Sequence, residues 1–142
     1  MKKIFLIFTI LFSVFSVHAE NSSSFEKRAE WKNNTNSELL DWYTLLGQVR
    51  ALTADETPAG IKAEVVLGYR KDDKETAQEI KQRTIEIRDF LRRYFSEKRY
   101  AELLPKNQEL LKIEIRDAIN ESILSNSKIR NVQFLSLELN AN

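Results

Sequence analysis

Apolar and polar positions alternate along this chain in two rhythms, and the changes of rhythm mark its elements. Residues 61–70, "IKAEVVLGYR", keep a period of two. Ile61, Ala63, Val65, Leu67 and Tyr69 fall on one face, and Lys62, Glu64 and Arg70 on the other, which predicts a strand with one buried face. Val66 and Gly68 soften the outer face and leave room for partial cover there. From about residue 74 to 99 the period becomes helical. Ile80, Thr84, Ile87, Leu91 and Tyr94 or Phe95 step by three and four along one side, while Lys81, Arg88 and Arg92 step along another. Asp72 or Asp73, in the loop before, is placed to cap this helix. Glu79 with Arg83, and Asp89 with Arg93, are i,i+4 pairs with the acid first, each worth about 0.2–0.5 kcal/mol.

Pro105 sits at the tolerated first-turn position of a second helix. In it Leu111, Ile115 and Ile119 recur at fourfold spacing, flanked by Leu110, Ala118 and Ile123. "SNSK", residues 125–128, breaks the pattern. Residues 129–139, "IRNVQFLSLEL", read as a strand whose phase slips: Val132 and Phe134 share one face, Leu135, Leu137 and Leu139 the other. A bulge, or cover on both faces, accounts for the slip. Upstream, Ser37 precedes "ELLDWYTLLG", residues 38–47, where Leu39, Trp42 or Tyr43, and Leu46 recur at helical spacing before Gly47; this predicts a short helix. "VRALTAD", residues 49–55, predicts a strand, and "ETPAG", residues 56–60, a turn. The order helix, strand, strand, long helix, helix, strand defines an α+β class, a small sheet packed against two long helices.

The chain opens differently. Residues 4–17, "IFLIFTILFSVFSV", are an unbroken apolar run behind "MKK", followed by "VHA" and Glu20. Such a run makes a helix of roughly 21 Å, against ~30 Å of hydrocarbon core. Residues 1–19 are therefore expected to be a secretory signal cleaved after Ala19, with a retained short anchor as the alternative. Residues 20–37, rich in Asn and Ser, read as a polar tether with one helical turn around residues 25–31. Residues 38–142 remain as a single folded domain.

Composition then removes chemistry. The 142 residues carry a formal net charge of +1 and no cysteine, so disulfides and thiolate catalysis are excluded. The one histidine, His18, lies within the expected signal. Cleavage would also remove Lys2 and Lys3, leaving 22 − 2 = 20 basic against 21 acidic residues, a net charge of −1. Candidate acid pairs exist by spacing, namely Asp72 with Asp73, Glu86 with Asp89, and Glu114 with Asp117. Each reads more simply as solvated helix or loop acids. No glycine-rich phosphate loop or EF-hand spacing occurs, and no cofactor or metal is expected. "RRYFSEKRY", residues 92–100, interleaves arginines with aromatics as single-strand nucleic-acid grooves do. Asp89 and Glu97 dilute that patch, and an exported chain rarely meets nucleic acid, so no nucleic-acid partner is expected. The Asn-X-Ser/Thr triplets at Asn21, Asn33 and Asn120 fit chance in an Asn-rich chain. An interaction or structural module is what remains, with a periplasmic binding or adaptor domain as its plainest form.

A likeness extends this reading. "LTAD", then "IKAEVVLGYRKDD", "RTIEIRDFLRRYFSEKRYAEL", "NQELLKIEIRDAINESIL" and "KIRNVQFLSLEL", in that order and spacing, resemble the flagellar basal-body-associated FliL family, most of all its spirochaete branch. The likeness covers roughly residues 49–139. It implies a non-enzymatic periplasmic domain at the inner membrane, similar in fold to the stomatin-type domain, that forms homo-oligomeric rings beside the stator units driving rotation. It carries over no catalytic residue. FliL proteins are normally single-pass membrane proteins, and the short apolar run here departs from that pattern. The charged face of the long helix, Arg88, Arg92 and Arg93, is the candidate protein-contact surface.

Overall fold

The computed structural model describes residues 38–141; the expected signal and tether, residues 1–37, lie outside the described residues. Four strands and three helices follow in the order β1 (Leu40–Tyr43), β2 (Gln48–Leu52), β3 (Gly60–Arg70), α1 (Lys74–Gln82), α2 (Thr84–Ser96), α3 (Gln108–Ser122) and β4 (Asn131–Asn140). Two short 3-10 turns, Tyr100–Leu103 and Pro105–Asn107, lead into α3. The sheet is wholly antiparallel and the class is α+β.

β3 is the axis of the sheet. β4 pairs along it from Gly60 to Gly68, while β2 takes Gly60 to Glu64 and β1 takes Leu67 to Arg70. Because β4 occupies one edge throughout, β1 and β2 share the other and form a single edge strand interrupted at residues 44–47. The alternation of β3 is realised as expected. Ile61, Ala63, Val65 and Leu67 are buried and stand opposite Leu139, Leu137, Phe134 and Val132 of β4. Helices α1 to α3 bury Ile80, Ile87, Leu91, Phe95, Leu111, Ile115 and Ile119 against this face.

Two sequence expectations change, and a third is decided between its alternatives. Residues 38–47 are not a helix but β1 and a loop. Their three-and-four spacing arises because the loop swings Leu46 into the core, at 1% exposure, after Tyr43 has already pointed inward from β1. Trp42 points to the opposite face, over Gly68, which is the partial cover that Val66 and Gly68 allowed. Tertiary pairing overrides the local helical pattern, and aromatic residues suit a strand well. The helix expected over 74–99 breaks at Arg83 and ends at Ser96. There the Thr84 hydroxyl donates to the Ile80 carbonyl at 3.1 Å, the oxygen that also receives the Arg83 N–H at 3.2 Å; such back-bonding bends helices. The phase slip in β4 is a bulge. Glu64 faces Ser136 and Val65 faces Phe134, so Leu135 is the extra residue. It is 60% exposed, and beyond it Leu137 and Leu139 return to the core.

Candidate protein-contact surface

Each of the three arginines on α2 meets a different environment. Arg88 leans toward the interrupted edge strand, donating from Nη1 to the Leu46 carbonyl and from Nη2 to the Gln48 carbonyl at 3.3 Å. It thus serves the Leu46 carbonyl inside the break in pairing and the carbonyl of Gln48, the first residue of β2. Gly47, at φ +70°, makes the approach possible, since a Cβ there would lie 3.1 Å from Arg88 Nη1. Tyr43 and Thr84 link the same loop to the start of α2 by a 3.0 Å hydroxyl–hydroxyl hydrogen bond. Arg92 turns outward and pairs with Asp89 at 2.9 Å, both side chains half exposed or more. Arg93 is exposed and has no side-chain partner among the described residues.

The two i,i+4 pairs read from the sequence do not form. Asp89 takes Arg92 rather than Arg93, and Arg83 pairs with Glu86 at 2.8 Å. Glu79 instead accepts the backbone N–H of Ser125 at 2.6 Å and of Asn126 at 3.3 Å, clamping the loop after α3 onto α1. Those donors hold its carboxyl below the usual range, against a smaller opposing push from burial.

The candidate acid pairs do not converge either. Asp73 caps α1, accepting from Thr76 N at 3.0 Å and Thr76 Oγ1 at 2.7 Å, while Asp72 takes φ +63° and donates its N–H to Asp41. Glu86 and Asp89 each hold their own arginine. Asp117 pairs with Arg116. Glu114 accepts from the Tyr94 hydroxyl and from Lys98 at 3.1 Å, and Lys98 also lies over the Tyr94 ring at 4.9 Å. The Tyr94 hydroxyl, then Lys98, hold the Glu114 carboxyl low, and burial, then Glu114, push the Tyr94 hydroxyl well above its ordinary value. A carboxylate so fixed in its ionised form is a strut between α2 and α3 rather than a proton shuttle.

The remaining motifs resolve structurally. In "RRYFSEKRY", Phe95 is wholly buried, the Tyr94 hydroxyl is committed to Glu114, and Tyr100 is the aromatic left exposed. Asn120 accepts from Ile129 N at 2.8 Å and donates to Ile129 O at 2.9 Å, closing the turn into β4; its Asn-X-Ser setting carried no sign of this role. Among the described residues no group of three or more His, Asp or Glu is arranged to hold a metal, and no helix is long and apolar enough to cross a membrane.

An antiparallel sheet carrying its helices on one face, with Asp73, Glu79, Glu114 and the paired arginines engaged in caps, clamps and surface pairs, defines a small α+β module. Residues 45–137 match the family model "Flagellar basal body-associated protein FliL". The chain belongs to this family, which groups flagellar accessory proteins not known as enzymes. It is 41% identical over 102 residues to the flagellar protein FliL of Treponema pallidum, a match covering 72% of this chain and 56% of that one. It is 29% identical over 101 residues to the flagellar protein FliL of Borreliella burgdorferi, covering 71% and 55%. The chain therefore spans about half the length of the curated relatives it matches.

Proposed function

We propose that this chain works in the periplasm, at the inner membrane beside the flagellar basal body, where it self-associates and supports the stator units that drive rotation. The family match over residues 45–137, which takes in every strand and helix from β2 to β4 in whole or in large part, carries the reading. The exposed cations Arg92 and Arg93 are its contact residues. Arg88 contributes by holding the edge strand that supports them.

The test is a deletion strain combined with a fluorescent fusion to the full chain. Reduced swimming speed or motor torque, with foci at the basal bodies, is expected. Unchanged motility with diffuse fluorescence would reject the proposal in favour of a periplasmic adaptor unrelated to rotation. Export is checked separately by mass spectrometry of the N-terminus, where Glu20 is expected as the first residue of the processed chain.

A further inference from the structure

Two exposed helix stripes match each other in length and chemistry. On α2, Ile85, Asp89, Arg92 and Ser96 follow at spacings of four, three and four, with Arg93 alongside. On α3, Leu110, Ile113, Asp117 and Glu121 follow at spacings of three, four and four. Each stripe runs through roughly 16 Å of helix. Each begins apolar, Ile85 being 76% exposed, Leu110 58% and Ile113 47%. Beyond these apolar residues α2 presents Arg92 and Arg93, the first paired with Asp89 of its own stripe, and α3 presents the acids Asp117 and Glu121.

The stripes cannot meet within one molecule. Ile85 and Arg92 are the i−3 and i+4 neighbours of Arg88, which faces the β1–β2 edge through its bonds to Leu46 and Gln48. Tyr94, on the other flank of α2, is the residue that reaches Glu114 of α3. The apolar and basic stripe of α2 therefore points away from its own α3. Scattered exposed apolar residues need no explanation, but two such stripes with aligned, complementary ends do.

We infer that the α2 stripe of one copy docks on the α3 stripe of a second copy, with Ile85 against Leu110 and Ile113, and Arg92 and Arg93 against Asp117 and Glu121. This rests on the self-association proposed above and names the surfaces that carry it. The contact joins two different faces, so it is heterologous and propagates from copy to copy, closing into a ring where the rotation allows. The pairs Arg92–Asp89 and Arg116–Asp117 do not block it. Their side chains are 50%/58% and 36%/49% exposed, and such surface pairs exchange partners at little cost. Arg93 and Glu121 have no side-chain partner to give up among the described residues.

The sequence contains no cysteine, so single cysteines report directly on proximity. Full chains carrying Ile85→Cys or Ile113→Cys are oxidised alone and as an equimolar mixture, and sedimentation velocity of the unmodified chain measures self-association in parallel. Several-fold more disulfide-linked dimer is expected in the mixture than in either variant alone. Adding Arg92→Glu with Arg93→Glu to the Ile85→Cys chain removes that excess, and adding Asp117→Lys with Glu121→Lys to its partner restores it. Equal linkage in a variant alone would mean a like-with-like contact and overturn the inference. Self-association without a mixed excess overturns this pairing and leaves the oligomer standing, whereas no self-association rejects both.

Discussion

The carbonyl of Leu46 is held by the guanidinium of Arg88, a side chain 42 residues further along the sequence. This contact bridges the one gap in the edge strand, where residues 44–47 leave β3 and Leu46 enters the core. It explains why a charged residue sits half-buried beside an otherwise apolar helix stripe. A positive-φ glycine, Gly47, gives it room.

Removing the cation takes the donor from the part-buried Leu46 carbonyl, and Arg88→Met is expected to cost about 1.5–3 kcal/mol in urea unfolding. Gly47→Ala should cost about 1–2 kcal/mol through its left-handed backbone, with more from crowding Arg88. The double variant should lose less than the sum, because the crowded partner is gone. Arg92→Met is the control, expected to stay within about 0.5 kcal/mol. Strict additivity at Arg88 and Gly47 would show that the contact is not made in solution.

Trp42 covers Gly68 so closely that a Cβ at Gly68 would lie 2.9 Å from Trp42 Cζ3 and 3.2 Å from Asn131 Cβ. Gly68→Ala is expected to destabilise the domain by about 1–3 kcal/mol through overpacking. In a Trp42→Ala background most of that penalty should vanish. An unchanged penalty would place the ring elsewhere.

Leu135 is the residue by which β4 exceeds β3. Deleting it would join Phe134, facing in, to Ser136, facing out, and leave Leu137 and Leu139 inward. The shortened chain should therefore fold with a urea midpoint near that of the parent. Deleting Gln133 instead turns Val132 out of the core, because a shift of one residue reverses a strand's faces. That variant should be strongly destabilised. Equal loss in both would argue against the bulge.

Glu79 and Glu114 have carboxyls held below the unfolded value of 4.5. The folded state thus binds fewer protons than the unfolded chain at acid pH. Their contribution is fully present above pH 4.5 and is lost as pH falls through the lower folded values. Urea midpoints measured from pH 7 to pH 3 should decline below about 4.5, and Glu79→Gln or Glu114→Gln should lower the plateau and flatten that decline. Tyr94 works in the opposite direction: its hydroxyl is raised above 10, so its share persists below pH 10 and falls away as pH rises beyond.

Much of the core is legible in the order of residues alone. The period of two in residues 61–70 and the three-and-four steps from Ile80 to Phe95 and from Leu111 to Ile119 each name buried side chains correctly. A single element's burial follows from its own repeat. The bulge in β4 is likewise visible as a phase slip, since an extra residue is what brings both Phe134 and Leu139 inward on one covered face. The FliL likeness is readable for the same reason, as a succession of elements in fixed order.

Of the candidate surface, the sequence identifies the arginines but not their roles. Arg88, Arg92 and Arg93 differ only by their angle around α2, and a modest rotation separates a backbone clamp from a surface pair and from a side chain in water. The i,i+4 partners failed because rotamers and competing donors choose the pair. Backbone N–H groups from the turn after α3 took Glu79, and an i,i+3 geometry gave Asp89 to Arg92.

By itself, then, the sequence determined the strands, helices and apolar faces that repeat locally, because hydrophobic periodicity is a property of neighbouring residues. Tertiary structure alone decided that residues 40–43 pair with β3 instead of coiling, that Trp42 fills the notch at Gly68, and that Arg88 closes the gap at Leu46. Each of those depends on a partner far along the chain, which no local pattern can encode.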